Sequence, residues 1–185
     1  MSKDLAWKQL STKTVYKDKW FNAMADSCQL PDGRIIEPYY RLGVPNWTNI
    51  VVVTAEQKIV LVKQYRYPIN TTTLELPGGT IDQGETPLAA AIREMQEETG
   101  YTSTTIEFLC SVSPNPALQS NTAFFYLATN AIQNAKQQFD EFEEIEIALY
   151  SKEEIIELLA TNAIQHGVQV GPIYKALIKL GWLHH

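Results

Sequence analysis

Short runs of apolar and β-branched residues recur along this chain, and they predict strands. Residues 49–54 and 58–65 flank a polar turn and have the composition of central strands. Residues 23–30 and 34–40 flank a Pro31-Asp32-Gly33 turn and form a predicted hairpin. The same pattern predicts further strands at residues 72–76, 106–112, 122–129 and 145–150.

A helix is predicted between Thr86 and Gly100. Thr86 suits the N-cap, Pro87 suits the first helical turn, and Gly100 suits a left-handed C-terminal cap. Four apolar residues on one arc predict the face that this helix buries: Leu88, Ala91, Ile92 and Met95.

Two further helices are predicted near the C-terminus. Ser151 can cap a helix that begins at Lys152, and residues 172–180 predict a final helix. Strands and helices in this order indicate an α/β fold in which helices sandwich a mixed central sheet. We expect residues 1–45 to form a small β-rich N-terminal extension and residues 46–185 to form the main domain.

Composition and charge are those of an ordinary folded domain. The chain has 185 residues, 45% hydrophobic and 19% charged, which is enough for one good core. It has no apolar run that approaches the ~20 residues of a membrane span, and its N-terminus lacks the apolar core of a secretory signal. The net charge of −6 argues against general nucleic-acid binding. We therefore expect a cytoplasmic protein whose partner is a small molecule.

Candidate chemistry is concentrated in residues 79–101, GTIDQGETPLAAAIREMQEETGY. A helix advances about 100° per residue, so Glu94, Glu97 and Glu98 project together, and we expect their carboxylates to converge. Like charges at this density repel unless a cation lies among them, and such oxygen ligands suit Mg²⁺ or Mn²⁺. Arg93 precedes Glu97 by four residues and is expected to orient it by a charged hydrogen bond. The alternative is a solvated acidic helix face.

The same stretch resembles the Nudix box, and every fixed position of that box is filled. The spacing is Gly79, five residues, Glu85, seven residues, and then REMQEETGY at residues 93–101. The flanks KQYRYP at 63–68, LELPGG at 74–79 and NPAL at 115–118 resemble those of the ADP-ribose and ADP-sugar pyrophosphatase branch. The resemblance implies a Nudix-type α/β/α sandwich and hydrolysis of a nucleoside diphosphate linked to another moiety.

The resemblance also implies roles for the residues of the box. Glu94 and Glu98 would be primary metal ligands, and Glu97 would be a ligand or would hold a water molecule. The carbonyl oxygen of Gly78 would be a further ligand, since glycine lets the backbone approach a cation closely. Glu85 and Arg93 would contact the ligands and not the substrate.

Substrate contacts are also implied outside the box. Arg66 would contact the diphosphate and neutralise charge that develops during cleavage. Trp20 would stack on a base, with Glu37 and Arg41 making polar contacts near the nucleotide, and Trp47 is a competing stacking platform.

An acidic run at residues 140–146 occupies the place where members of the branch often carry a closing glutamate. Glu143 or Glu146 would then serve as general base or extra ligand, with Glu143 ranked first. The alternative is an acidic strand edge or a solvated loop.

These observations lead to one expected function and several alternatives. We expect a homodimeric, metal-dependent enzyme that splits ADP-ribose into AMP and ribose 5-phosphate. GDP-mannose or a dinucleotide is the alternative substrate, and a catalytically silent ligand sensor is the alternative class. Gln119-Ser120-Asn121 stands where many relatives carry an acid, which weakens the case for ADP-ribose itself.

Overall fold

The computed structural model describes residues 4–139, 141 and 144–183, and its elements follow one another as strands, a helix, strands and two final helices. The strands are β1 Lys8–Lys17, β2 Asn22–Gln29, β3 Ile35–Gly43, β4 Trp47–Thr54, β5 Ile59–Arg66, β6 Thr71–Glu75, β7 Gly78–Thr80, β8 Tyr101–Thr102, β9 Thr105–Val112, β10 Ala123–Gln133 and β11 Ile145–Tyr150. The helices are α1 Pro87–Thr99, α2 Lys152–Ala160 and α3 Gly167–Lys179.

The chain divides into two compact units. The first ends at Asn46 and also takes in Ser113–Thr122. Its three strands form an antiparallel sheet in the order β1-β2-β3. The Tyr39 hydroxyl donates to the carbonyl of Ala117 at 2.6 Å, so the 113–122 segment is tied to β3.

The second unit contains a mixed sheet. Strands β11, β5, β4, β10 and β8 follow one another across it, while β6, β7 and β9 pair with β5, β4 and β10. Only the pairing of β4 with β10 is parallel among the strand pairs of the described residues. The predicted α/β sandwich with a mixed sheet and an N-terminal β extension is therefore confirmed.

Alternate residues of β4 face the two layers of helices. Ile50 and Val52 pack in a buried cluster with Met95 of α1. Val51 and Val53 pack in a second cluster that contains buried residues of α2 and α3. The strand is buried on both faces, which explains why its sequence is a continuous apolar run.

The buried face of α1 differs from the predicted one. Ala91 and Met95 are buried as expected, but Leu88 and Ile92 are each 40% exposed, and Ala90 is buried instead. The small side chains of Ala90 and Ala91 therefore face the core in place of Leu88 and Ile92.

Several elements differ from the pattern-based prediction, among them β1 and α3. Strand β1 was missed because all ten of its residues are exposed, so it has no buried face to produce an alternating pattern. Helix α3 begins at Gly167, five residues before the predicted start, and contains Pro172. Pro172 is the sixth residue of this helix. At an interior position a proline removes one intrahelical hydrogen bond, and its ring crowds the carbonyl four residues earlier. No helix in the described part of the chain is both long and apolar enough to cross a bilayer.

Candidate active site

Helix α1 begins and ends at the residues that its sequence indicated. The Thr86 side chain accepts a hydrogen bond from the Ala89 N–H, and Pro87 is the first helical residue. Gly100 adopts a left-handed conformation with φ of 69° and closes the helix. The caps fix where the carboxylates of the last two turns lie along the helix axis.

Arg93 connects the loop before α1 to the acids on the helix. Its guanidinium donates to both carboxylate oxygens of Glu85 at 3.1 Å and to the Thr80 carbonyl at 3.1 Å. Its Nη1 atom donates to Glu94 Oε1 at 2.8 Å and to Glu97 Oε2 at 3.0 Å. The expected contact from Arg93 to Glu97 is present, and Arg93 also orders Glu85 and Glu94.

The electrostatic consequences are mutual. Hydrogen bonds from Arg93 lower the pKa of Glu85, with a smaller contribution from the Asp82 backbone. The hydrogen bonds that Arg93 donates to Glu85 and the charge of Glu94 raise the pKa of Arg93 further above its already high value. The Glu85 carboxylate is therefore held ionised beside a permanent cation.

Gly78 and Gly79 are needed for two different reasons. A Cβ atom at Gly78 would lie 2.1 Å from the backbone oxygen of Thr48, so no side chain fits against β4. A Cβ atom at Gly79 would lie 2.3 Å from Glu94 Oε1. The second glycine thus leaves the space that the Glu94 carboxylate occupies.

Glu98 is held by the glycine turn. Its side chain is buried, with only 4% of the residue exposed, and its Oε2 accepts from the Gly78 N–H at 2.8 Å. Asn49 supports the same turn from β4, because its side-chain amide donates to the carbonyls of Leu76 and Pro77 at 3.1 and 3.2 Å.

The three helix acids lie at one end of α1 without forming the joint cluster that we expected. Across residues 4–139, 141 and 144–183, no three His, Cys, Asp or Glu side chains are grouped so as to hold a metal ion. Glu94 and Glu97 share the Nη1 atom of Arg93, whereas Glu98 faces Gly78. The donor set nevertheless fits a hard divalent cation chemically, because all three groups are carboxylates beside a close-approaching glycine backbone.

Arg66 lies at the end of β5 and is paired with Glu75 of β6. Two parallel hydrogen bonds of 2.8 Å join the guanidinium to the carboxylate, and the Thr73 hydroxyl also donates to Glu75. Glu75 is 2% exposed, whereas the Arg66 side chain is 43% exposed. The pair leaves part of Arg66 open to solvent while fixing its orientation.

The other predicted substrate contacts lie in the first unit. Trp20 is 70% exposed, and the Lys19 ammonium lies 4.5 Å from its ring centroid. Arg41 donates to the buried carboxylate of Asp26 at 2.9 Å, while Glu37 is exposed on β3. The rival platform Trp47 is half-buried at the start of β4, where it packs edge-on against Phe125 and His166.

The two candidates for the closing acid have different positions. Glu143 lies outside the residues that the structure describes. Glu146 lies on β11, is 72% exposed, and accepts a hydrogen bond from the Lys63 ammonium of β5 at 2.9 Å.

Pattern reasoning missed Glu75 and Asn49, which support Arg66 and the glycine turn. One signal was present for Glu75, since a charged residue inside the LEL run of a predicted central strand needs a buried partner. Asn49 had no comparable signal, because an Asn at the start of an apolar run is common.

Comparisons with known proteins identify the family of this chain. A family model of the NUDIX domain matches residues 45–169, and one of the nucleoside diphosphate sugar hydrolase N-terminal domain matches residues 7–42. The chain belongs to the Nudix family. It is a pyrophosphohydrolase, an enzyme of the class that acts on phosphorus anhydride bonds.

Similar proteins cover most of the chain. An ADP-ribose pyrophosphatase of Bacillus subtilis is 27% identical over 88% of this chain and 88% of its own length. A methanol dehydrogenase activator of Bacillus methanolicus is 28% identical over 90% of this chain and 85% of its own length. A crystal structure of an ADP compounds hydrolase has the same fold, with a TM-score of 0.82 and 22% identity over 98% of this chain and 100% of that one.

Proposed function

We propose that this enzyme hydrolyses the pyrophosphate bond of a nucleoside diphosphate sugar, namely ADP-ribose, to AMP and ribose 5-phosphate. One observation carries the proposal: Arg93 ties the 79–86 loop to Glu94 and Glu97 of α1, while Glu94 and Glu98 lie against Gly79 and Gly78 of the glycine turn. The similarity to an ADP-ribose pyrophosphatase over most of the chain supports the choice of sugar.

Mg²⁺ or Mn²⁺ would be held by Glu94 and Glu98, with the Gly78 carbonyl as a further ligand. When bound, such an ion neutralises diphosphate charge and lowers the pKa of a coordinated water. Glu97 is suited to hold the attacking water, because 37% of its side chain is exposed, compared with 12% for that of Glu94. Arg66, whose guanidinium is oriented by Glu75, would contact the diphosphate.

The proposed substrate and base assignments beyond α1 rest on the resemblance. Trp20 would stack on the adenine, and its high exposure suits this role. Glu37 and Arg41 would contact the nucleotide. The additional base would be Glu143 or Glu146. In the case of Glu146, the ion pair with Lys63 would orient its carboxylate.

The test is hydrolysis of a panel consisting of ADP-ribose, ADP-glucose, GDP-mannose and NADH, with and without Mg²⁺. We expect Mg²⁺-dependent release of AMP from ADP-ribose and no turnover in excess chelator. Glu98→Gln should abolish turnover while circular dichroism shows an intact fold. Preferred turnover of GDP-mannose or NADH would instead assign the alternative substrate.

A second candidate is a regulatory protein that binds a nucleotide and activates a partner enzyme. The similarity to a methanol dehydrogenase activator favours it. A folded, metal-loaded protein that turns over none of the four compounds yet binds one of them would support this role and overturn the assignment of ADP-ribose as a substrate.

We further propose that two copies associate through the first unit. All ten residues of β1 are exposed in the single chain, including Leu10, Val15 and Tyr16, and Trp7 before the strand is 48% exposed. Exposed apolar side chains along an edge strand are typical of an interaction surface. Light scattering should give the dimer mass, and Val15→Glu should lower it, whereas Lys13→Gln on the same strand should not.

The proposed location is the cytoplasm and the partner a small nucleotide derivative. Cys28 and Cys110 both carry free thiols in the structure, which suits a reducing compartment.

A further inference from the structure

Residues 133–138 run beside the C-terminal end of α1, and we call them the glutamine segment. The Gln138 N–H donates to the carbonyl of Glu97 at 2.9 Å. The side-chain amide of Gln137 donates to the carbonyl of Glu98 at 2.6 Å, and that of Gln133 donates to the carbonyl of Thr99 at 3.2 Å. Three successive carbonyls at the end of the helix therefore have donors from this one segment.

The next carbonyl along the chain is satisfied in the same way. Gly100 accepts from the N–H groups of Asn134 and Ala135 at 3.2 and 3.1 Å. A Cβ atom at Gly100 would lie 2.6 Å from the Ala135 carbonyl, so the segment approaches the helix end closely. Its start is fixed by the pairing of Gln133 with Tyr101 between β10 and β8.

These contacts answer a particular problem of α1. The last carbonyls of a helix lack intrahelical partners and carry the negative end of the helix dipole. Glu97 and Glu98 add two carboxylates to that end, and the last turn contains no basic residue. The N–H donors of the glutamine segment offset part of this negative potential and hold the carbonyls in place.

Glu98 is held at both its side chain and its backbone. Gly78 donates to the carboxylate and Gln137 donates to the carbonyl oxygen of the same residue. The Gln137 contact is made by a side chain, whereas the neighbouring Gln138 contact to Glu97 is made by the backbone and does not depend on residue type.

We propose that the glutamine segment positions the carboxylate end of α1 for the reaction, and that Gln137 is a positioning residue acting through Glu98. The inference rests on the proposed function for its catalytic consequence. The hydrogen bonds themselves do not depend on the proposed function, because each of them joins two residues of this chain.

The experiment compares Gln137→Ala with Gln138→Ala. We expect Gln137→Ala to lower kcat by about tenfold or more, since small misplacements of a catalytic group cost this much, and to change KM by less than about twofold. Gln138→Ala should match the wild type, because its backbone donor remains. Gln137→Glu keeps the shape of the side chain, removes the N–H donor, and should lower kcat at least as far as the alanine variant.

Two measurements on the proteins without nucleotide complete the test. Hydrogen exchange in the peptide spanning residues 96–101 should be faster in both Gln137 variants than in Gln138→Ala. Mn²⁺ affinity, measured by water-proton relaxation, should be weaker in both Gln137 variants than in Gln138→Ala. Equal exchange and equal kcat in all four proteins would overturn the inference. If the wild type turns over no compound, but hydrogen exchange is still faster in the Gln137 variants than in Gln138→Ala, the proposed function alone is overturned.

Discussion

Arg66 and Glu75 form a bidentate ion pair across neighbouring strands, with both hydrogen bonds at 2.8 Å. The carboxylate is buried, whereas the guanidinium is partly exposed. A buried carboxylate is costly unless it is paired and hydrogen-bonded, and Thr73 supplies the additional donor. The pair therefore holds Arg66 in one orientation at the end of β5.

Replacing Glu75 by Gln should weaken both stability and substrate binding. The variant loses the charge of the pair, which we expect to cost about 1–2 kcal/mol of unfolding free energy because Arg66 is partly solvated. KM for ADP-ribose should rise, since Arg66 is no longer held toward the diphosphate. Urea unfolding and steady-state kinetics measure the two effects.

Glu107→Gln is the matched control. Glu107 pairs with Lys179 at 2.8 Å, but both side chains are about half exposed, at 48% and 45%. Such pairs contribute at most ~1 kcal/mol. A larger loss of stability in Glu107→Gln than in Glu75→Gln would contradict the importance of the buried pair.

The same pair predicts a dependence of stability on pH. Burial by itself raises the pKa of Glu75, but hydrogen bonds from Arg66 and Thr73 outweigh it, so the net pKa lies below the ordinary 4.5. The folded state then binds its proton less readily than the unfolded state does. The stabilisation is fully present above pH 4.5 and is lost as the pH falls through the folded pKa. The stability difference between wild type and Glu75→Gln should therefore shrink in acid, and a constant difference would refute this account.

Gly78→Ala and Gly79→Ala should have different effects. The Cβ atom at position 78 meets the Thr48 backbone, which cannot move aside, so Gly78→Ala should unfold at a clearly lower temperature. At position 79 the Cβ atom meets the carboxylate of Glu94, a flexible side-chain end. Gly79→Ala should keep the fold and lose most of its kcat, by about 100-fold if Glu94 is displaced by ~1 Å.

Gly167→Ala is the control for both glycine variants. It is the first residue of α3, where an added Cβ atom meets nothing within 4 Å. Alanine is favoured over glycine in a helix by up to ~1 kcal/mol, so this variant should be as stable as the wild type or more so, with unchanged kcat. Equal behaviour of Gly78→Ala and Gly79→Ala would be evidence against the separate roles.

Arg93→Lys should reduce kcat strongly although it conserves the charge. Arg93 contacts Glu85, Glu94, Glu97 and the Thr80 carbonyl at once through a planar guanidinium. An ammonium cannot reach acceptors in these different directions, and loss of such supporting contacts typically costs about 10–100-fold in activity or metal affinity. Steady-state kinetics and Mn²⁺ titration measure the loss.

Arg34→Lys provides the comparison for that substitution. Arg34 also contacts a carboxylate, that of Asp32, but its side chain is 76% exposed in a hairpin turn. We expect no change in kcat for it. A similar loss of activity in both variants would point to a general effect of replacing arginine.

Local signals were enough to predict the helix that carries the acids. Thr86, Pro87 and Gly100 mark its ends through interactions within one turn, and Arg93 reaches Glu97 across four residues of the same helix. Such contacts depend on spacing along the chain alone, so the sequence contains them. The central strands were predicted for the same reason, because a strand buried on both faces is continuously apolar.

Contacts between distant segments were not predictable in this way. The contacts of Gln137 with Glu98 and of Asn49 with Pro77 join residues 39 and 28 positions apart, and nothing in the spacing of these residues indicates the pairing. The sequence pattern did not indicate strand β1, because the strand is stabilised by pairing with β2 and neither of its faces is buried.

The sequence by itself determined the chemistry of this protein: a set of carboxylates at helical spacing behind a glycine pair, within an α/β fold. Only the tertiary structure decided how those carboxylates are held, with Glu94 against Gly79 and Arg93, and Glu98 between Gly78 and Gln137. The physical reason is that residue type and helical period are local properties, whereas the hydrogen bonds that orient a side chain come from segments far apart in the chain.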